Sequence, residues 1–153
     1  MSRAIVRRVR ETPAREVVVD ASTAVRWFAF EAESPIASRL LEGGWRLIAP
    51  DVMPVEAANS WWKKVRQGDM TRTAMEEAVE TLFQIGIEWV PHKDVFPRAA
   101  RLSLELRHPV YDCVYLATAL ARGTTLAAGD NRLRELARQL EISVYPPTVK
   151  GRA

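Results

Sequence analysis

Residues 17–22 read VVVDAS, and this short stretch sets the pattern by which the rest of the chain can be interpreted. Val17–Val19 is a β-branched run of the kind found in buried strands, and Asp20 ends it. A helical stretch, Ser22–Phe30, follows at once. A short apolar strand that leads directly into a helix predicts one unit of an α/β fold with a parallel sheet.

The same alternation continues along the chain. The predicted strands are Val17–Val19, Trp45–Ala49, Ile87–Val90, Thr124–Ala128 and Ile142–Tyr145. The predicted helices are Ser22–Phe30, a segment from Ser34 to Gly43, Asp51–Gln67, Thr71–Ile85, Asp94–Arg107, Pro109–Arg122 and Asn131–Leu140. Glycines after the periodic segments, and serine or proline at their starts, set the helix boundaries. We therefore predict a three-layer α/β/α sandwich around a central, mostly parallel sheet of four to five strands.

A chain of 153 residues is long enough to form one domain with a substantial core. Its net charge of +3 resides in residues 1–16, where five arginines stand against two glutamates. We predict a basic amino-terminal arm at 1–16, one domain at 17–147 and a short tail at 148–153. The arm is interpreted as a solvated leader, and contact with nucleic-acid phosphates is the alternative.

The composition predicts a cytoplasmic protein. The single cysteine, Cys113, excludes an intrachain disulfide and is typical of a reducing compartment. No apolar run approaches the roughly 20 residues needed to span a bilayer, and the basic start lacks the apolar segment of a secretory signal. Because Cys113 lies in an apolar helical segment, we interpret it as a small buried hydrophobe and not as a nucleophile.

Two aspartates occupy equivalent places in the pattern. Asp20 and Asp130 each follow a short apolar strand and precede a helix. Ligands of open parallel sheets bind beyond the carboxyl ends of the strands, so both carboxylates stand where a site would form. An ordinary helix N-cap is the simpler interpretation of either residue taken alone.

Two further acids differ in how well a structural role explains them. Asp112 is the only charged residue in the apolar segment PVYDCVYLATALA (109–121). An ionised carboxylate there needs either the helix N-terminus or a bound cation to compensate it. Glu56 projects from the polar side of the helix Asp51–Gln67, opposite Trp61, and faces either a groove or solvent.

Four segments, taken in order, resemble one known family. They are VVVDAS (17–22), PVEAANSWWKK (54–64), HPVYDCVYLATALA (108–121) and LAAGDNRL (126–133). In this order and at this spacing they look like the PIN-domain nucleases, and most like the VapC-type toxins of bacterial toxin–antitoxin pairs. The resemblance extends from about Val17 to Pro147. It implies an acidic catalytic centre made of Asp20, Glu56, Asp112 and Asp130.

Residues beside these acids also bear on the resemblance. Ser22 matches a position where the family often has a hydroxyl near the metal. Ala128 departs from the pattern, because the family often has Thr two residues before the last acid, and loss of that hydroxyl is expected to loosen the positioning of Asp130. Arg132 and Arg134 follow Asp130 and are the arginines best placed to reach a substrate phosphate, although a solvated helix face is the default interpretation of both.

The resemblance implies a metal-dependent reaction. Carboxylates gathered in one place repel one another, and a divalent cation relieves that repulsion. Mg²⁺ (or Mn²⁺) is predicted, because oxygen ligands suit these ions and neither histidine has metal-ligand spacing with another His or Cys. The predicted metal ligands are Asp20, Asp112 and Asp130. Glu56 would bind the metal or orient the attacking water, and Ser22 and Arg132 would contact substrate or a metal-bound water during hydrolysis of RNA.

Partners follow from the same resemblance. RNA is the expected substrate and a cognate antitoxin the expected protein partner, with no membrane association. A homodimer is expected, and the helix pair around Trp62 and Thr71–Ile85 is the surface that would form it. Lys63 and Lys64 either contact phosphate or solvate the end of their helix.

Two other classes of protein remain open. A receiver-like phosphoacceptor domain also binds Mg²⁺ in an acidic pocket, although this chain lacks paired acids after the first strand and a lysine after the last. A PIN fold without catalysis would act as an RNA-binding or partner-binding module. A metal titration with a chelator control would distinguish that module from a nuclease.

Overall fold

The computed structural model describes residues 15–28 and 34–147, which form five strands and the helices around them. The strands are β1 (Arg15–Val19), β2 (Trp45–Pro50), β3 (Glu88–Val90), β4 (Thr125–Ala127) and β5 (Val144–Tyr145). The helices are α1 (Ala21–Arg26), α2 (Ser34–Ser38), α3 (Met53–Gln67), α4 (Arg72–Gln84), α5 (His92–Leu106), α6 (Val110–Arg122) and α7 (Asn131–Gln139). A 3₁₀ turn at Arg39–Leu41 follows α2.

The five strands form one sheet in the order β3-β2-β1-β4-β5, and every pair in it is parallel. At its centre, Val18 of β1 lies between Ile48 of β2 and Leu126 of β4. The five predicted strands and the parallel sheet are thereby confirmed. The receiver-like alternative is wrong, because that fold has the strand order 2-1-3-4-5.

Helices cover both faces of the sheet because the chain crosses it in two directions. From β1 to β3 the chain passes through α1 to α4, and it then returns to β4 and β5 through α5 to α7. Right-handed crossovers in opposite directions place the two groups of helices on opposite faces. The predicted three-layer sandwich is confirmed. The direction switches between β1 and β4, which is where open α/β sheets bind their ligands.

The core explains why the opening stretch is so apolar. Val17, Val18 and Val19 are fully buried, since a parallel strand covered on both faces has no polar side. Trp61 of α3 is also fully buried, and its indole N–H donates to the carbonyl of Val25 at 3.4 Å. The core position predicted for Trp61 from helical periodicity is confirmed.

Side-chain capping moves the starts of two helices away from the prediction. Helix α5 begins at His92, two residues before the predicted start, because the Asp51 carboxylate accepts the His92 backbone N–H at 3.0 Å. Helix α4 begins at Arg72, one residue late, because Thr71 is its N-cap and accepts the backbone N–H of Ala74. In both cases the cap replaces the missing backbone partner of the first turn.

Other observed boundaries also differ from the predicted ones. Strand β1 begins at Arg15, two residues before the predicted start, because Arg15 pairs with Trp45 of β2. Its first two residues, which the prediction assigned to the basic arm, therefore belong to the sheet. The helix predicted from Ser34 to Gly43 is a short α-helix followed by a 3₁₀ turn. The remainder of the arm, the tail at 148–153 and the end of the helix predicted to reach Phe30 lie outside the described residues.

Within residues 15–28 and 34–147, none of the helices has the length and apolar character that a membrane crossing requires.

Candidate active site at the carboxyl edge of the sheet

All four predicted acids line one cavity of about 490 Å³ at the point where the crossover direction switches. Asp20 follows β1, Asp130 lies just beyond β4, and Glu56 and Asp112 come from the first turns of α3 and α6. The other lining residues are Ala21, Ser22, Asn59, Ser60, Lys63, Tyr111, Tyr115 and Leu133. Residues that are far apart in the sequence thus form one acidic cavity.

Asp20 is both a helix cap and a wall of the cavity. It caps α1 by accepting the backbone N–H of Thr23 at 2.8 Å, and its own backbone N–H donates to the carbonyl of Ala127 at 3.0 Å. Asp20 is buried, with only 4% of its surface exposed. The capping and functional interpretations are therefore compatible, because the cap uses one carboxylate oxygen and fixes the direction of the group.

Ser22 ties the two strand ends together. Its hydroxyl lies 2.9 Å and 2.8 Å from the two carboxylate oxygens of Asp20, and it accepts the backbone N–H of Gly129 at 3.2 Å. The loop before Asp130 is thereby held against the loop that carries Asp20. The predicted place of Ser22 beside the acids agrees with this geometry, and its contact with a metal-bound water or substrate stays a prediction.

Asp130 is the most exposed of the four acids and caps α7, where its carboxylate accepts the backbone N–H of Arg132 at 3.0 Å. Ala128 is buried and brings no hydroxyl to this loop. Its backbone is nevertheless fixed, because its N–H donates to the carbonyl of Tyr145 at 3.2 Å and its carbonyl accepts a guanidinium N–H of Arg134 at 3.0 Å. Whether the missing hydroxyl loosens Asp130 stays a prediction.

Asp112 has a partner that the sequence reasoning missed. Nε2 of His108 lies 2.6 Å from Oδ2 of Asp112, and the His108 side chain is only 13% exposed. His108 lies outside α6, which begins at Val110, so the periodicity of the helix does not predict this contact. The contact fixes the direction of the Asp112 carboxylate, which lines the cavity.

Glu56 also has a partner that was missed. The hydroxyl of Tyr115, a buried residue of α6, donates to Oε1 of Glu56 at 3.1 Å. Tyr115 follows Asp112 by three residues and lines the same cavity, so helical spacing could have pointed to it. Of the two directions predicted for Glu56, groove or solvent, the structure selects the groove.

Burial, together with nearby negative charge, makes ionisation of Asp20 and Glu56 unfavourable. Burial raises the pKa of Asp20, hydrogen bonds from Thr23 and Ser22 oppose the rise, and the charge of Asp112 adds to it. Burial also raises the pKa of Glu56 from 4.5 to about 7, against the hydrogen bond from Tyr115 and together with the charges of Asp112 and Asp20. The phenol of Tyr115 has its pKa raised by burial and then by Glu56.

These shifts predict how stability depends on pH when no metal is present. A carboxyl whose pKa is raised on folding stabilises the chain below its unfolded pKa, and this contribution is lost as pH rises through the folded pKa. For Glu56 the interval runs from 4.5 to about 7. Because the group is partly solvated, we expect a loss of about 1–2 kcal/mol between pH 5 and pH 8. Urea unfolding in EDTA at several pH values measures it.

Glu56→Gln should remove that part of the pH dependence, since an amide does not titrate. The matched control is Glu105→Gln, at an exposed position of α5 outside the cavity, which should leave the wild-type slope unchanged. Equal slopes for wild type and Glu56→Gln would show that Glu56 is not the group responsible.

Three basic residues near the site have different surroundings. The guanidinium of Arg132 lies 3.2 Å from Glu135 on the exposed side of α7, and Arg132 is not among the cavity-lining residues, so its substrate contact stays a prediction. Arg134 is buried and donates to the carbonyls of Ala128 and Pro146. The prediction that Arg134 reaches a substrate phosphate is wrong, because its guanidinium is buried and donates hydrogen bonds to backbone carbonyls. Lys63 lines the cavity.

Cys113 is fully buried beside Asp112, as its predicted structural role requires. Burial, followed by the charge of Asp112, raises the pKa of its thiol, which disfavours the thiolate that a nucleophile needs.

The donor set of the cavity fits a hard divalent cation. Carboxylates and a hydroxyl are oxygen ligands, and a bound cation would stabilise the ionised forms of Asp20 and Glu56, which burial disfavours. Within the described ranges, no three His, Cys, Asp or Glu side chains are positioned so that they could hold a metal ion together. A Mg²⁺ ion bound here would therefore have fewer than three of these side chains as direct ligands, which is usual for an ion that keeps several of its waters.

The fold and the acidic cavity define a class of protein that comparison with known families identifies. The profile of the PIN domain family matches residues 17–139. The chain therefore belongs to the PIN domain family, and the resemblance seen in the sequence is confirmed.

Individual relatives lie among the VapC proteins. The chain is 30% identical to Ribonuclease VapC1 of Mycobacterium tuberculosis over 120 residues. This matched region covers 77% of the present chain and 88% of the relative. The solved structure of M. tuberculosis VapC20, described as a sarcin-ricin loop cleaving toxin, has a TM-score of 0.63 at 15% identity, over 78% of this chain and 93% of that one. VapBC2 from Rickettsia felis was solved with a DNA fragment from its promoter. Its structure has a TM-score of 0.57 at 9% identity and covers 84% of the present chain and 96% of its own.

Proposed function

We propose that this protein is a metal-dependent ribonuclease that hydrolyses RNA phosphodiester bonds, and that it is the toxin of a toxin–antitoxin pair. The observation that carries the proposal is the single cavity lined by Asp20, Glu56, Asp112 and Asp130 at the switch point of the sheet. Its kinship with Ribonuclease VapC1 supports RNA as the substrate.

Each acid has a proposed role. Asp20 and Asp112 would hold Mg²⁺ or Mn²⁺, with Asp130 as an outer ligand, and the ion would supply a nucleophilic water and neutralise charge on the phosphodiester. Tyr115 holds the Glu56 carboxyl in the cavity, where a pKa of about 7 suits it to accept a proton from water near neutral pH. His108 and Ser22 fix the directions of Asp112 and Asp20.

The proposed partners follow the same kinship. VapBC2 of Rickettsia felis was solved together with promoter DNA, and we propose that the present chain likewise has a cognate antitoxin. We also propose a cytoplasmic homodimer. Trp62, 46% exposed on α3, and the facing side of α4 form an apolar groove that supports this surface as the interface.

The experiment that tests catalysis incubates the full chain with a 5′-labelled single-stranded RNA in Mg²⁺ or Mn²⁺. We expect cleavage without a 2′,3′-cyclic phosphate, because an activated water and not the neighbouring 2′-hydroxyl attacks the phosphorus. Product ends are identified by mass spectrometry. Binding of RNA without cleavage in either metal would favour the non-catalytic PIN module. Cyclic-phosphate products would contradict the proposed use of the acids.

A further inference from the structure

We propose that Lys63 and Tyr111 form a subsite that binds the nucleotide next to the scissile phosphodiester of single-stranded RNA. The proposal rests on the proposed ribonuclease function and adds to it how the substrate is held. Its basis is the charge of the cavity. The four carboxylates that line it would repel the negatively charged backbone of RNA. The cavity therefore needs a cation and an attachment point that does not depend on charge.

Lys63 supplies the positive charge. It is the one basic residue that lines the cavity in the described part of the chain. Within the described part of the chain, Lys63 forms no ion pair with any of the four acids, so its ammonium group is available to a phosphate. Its neighbour Lys64 lines a different cavity, next to Gly68 and Thr71. The two adjacent lysines therefore face different parts of the surface.

The position of Lys63 along α3 indicates which phosphate it meets. Lys63 lies seven residues after Glu56, about 10 Å farther along the helix axis. Asn59 and Ser60 line the cavity between them. Because of that separation, Lys63 would contact a phosphate next to the scissile one. Asn59 and Ser60 would lie along the RNA backbone between the two phosphates.

Tyr111 supplies the attachment that does not depend on charge. It is 62% exposed, precedes Asp112 in the first turn of α6 and lines the same cavity. Tyr115, one turn later, is buried and engaged with Glu56. An exposed aromatic ring beside a nucleic-acid site offers a face on which an unpaired base can stack. The subsite thus selects single-stranded RNA, since a paired base is already stacked within its helix.

The test for Lys63 compares Lys63→Gln with the adjacent control Lys64→Gln. Steady-state cleavage of a single-stranded RNA is measured over a range of salt concentrations. For Lys63→Gln we expect KM to rise about fivefold to tenfold, and the slope of log(kcat/KM) against log[salt] to weaken by about 0.7, the value for one lost phosphate contact. Lys63→Arg should restore both, and Lys64→Gln should behave as wild type.

The test for Tyr111 uses the pair Tyr111→Ala and Tyr111→Phe in the same assay. The alanine variant should raise KM about tenfold, and the phenylalanine variant, which keeps the stacking face, should recover most of that loss. Wild-type kinetics in either Lys63→Gln or Tyr111→Ala, while the wild-type chain cleaves RNA, would overturn the subsite. Absence of RNA cleavage by the wild-type chain would instead overturn the proposed ribonuclease function.

Discussion

Replacing Asp20 by Asn is expected to lower the rate of metal-dependent RNA cleavage by about a hundredfold or more and to leave the fold intact. Asp20 is the most enclosed of the four acids and a proposed metal ligand. An amide keeps the shape of the group but loses the negative charge that attracts the cation. A loss of several kcal/mol of transition-state stabilisation corresponds to this decrease in rate. The measurement is single-turnover cleavage of a labelled RNA with the enzyme in excess.

The fold should survive because the structural role of Asp20 does not need its charge. Asn caps helices about as well as Asp, and its side-chain oxygen can accept the hydrogen bonds that Thr23 and Ser22 donate. The substitution also removes a carboxyl whose burial opposes ionisation. In EDTA at pH 8 we therefore expect a free energy of unfolding within about 1 kcal/mol of wild type, or higher.

Asp51→Asn is the matched control for this prediction. Asp51 also follows a strand of the sheet, β2, but it is not among the cavity-lining residues and its carboxylate faces His92. This variant should retain the cleavage rate even if it loses some stability. Full activity of Asp20→Asn, or an equal loss of activity in Asp51→Asn, would contradict the proposed role of Asp20.

The fold could be predicted from the sequence because its signals are local. Val17–Val19 is buried on both faces and reads as a continuous β-branched run, and helix-ending glycines such as Gly68 and Gly123 have positive φ angles that few other residues adopt. Boundaries were less well predicted where a cap comes from a distant element. The carboxylate of Asp51 extends α5 at its start, although 41 residues separate it from His92.

The acids of the site could be named from the sequence, but their partners could not. Asp20 and Asp130 follow strand ends and Asp112 interrupts an apolar segment, whereas Glu56 was predicted from its side of the helix together with the family resemblance. The contact between Tyr115 and Glu56 depends on how α6 packs relative to α3, which no local pattern encodes.

Arg134 shows the converse error. Its charge favoured an exposed, substrate-facing position, yet it lies on the apolar side of α7 between Leu133 and Leu136, and backbone carbonyls satisfy its guanidinium. Burial of a charged side chain that is compensated by distant carbonyls is a property of the packed fold and not of its own segment.

Removal of divalent cations is expected to abolish cleavage, and their return should stabilise the chain. An ion that binds only the folded state at a hundred times its Kd contributes about 2.7 kcal/mol. For a chain of this size that corresponds to a rise in Tm of roughly 5–10 °C. Differential scanning fluorimetry of the EDTA-treated chain with added Mg²⁺ or Mn²⁺ measures the rise, and NaCl at equal ionic strength is the control.

The rise in Tm should itself depend on pH and on the acids. Metal ligands bind as carboxylates, so protons compete with the cation wherever the pKa values are raised, as they are for Asp20 and Glu56. We expect a larger rise at pH 8 than at pH 5.5, the reverse of the trend for the metal-free chain. Asp20→Asn and Asp112→Asn should each abolish the rise, whereas Asp51→Asn should retain it.

These expectations distinguish a metal centre from an acidic cavity that merely tolerates its charges. Because the pKa values of Asp20 and Glu56 are raised, a metal that binds in the cavity must displace protons from these carboxyls. If it does, cation binding and deprotonation are linked, and stability at pH 8 recovers in the same titration that restores cleavage. A rise in Tm that survives both Asp20→Asn and Asp112→Asn would place the cation elsewhere. Cleavage that persists in EDTA would require the four acids to act without one.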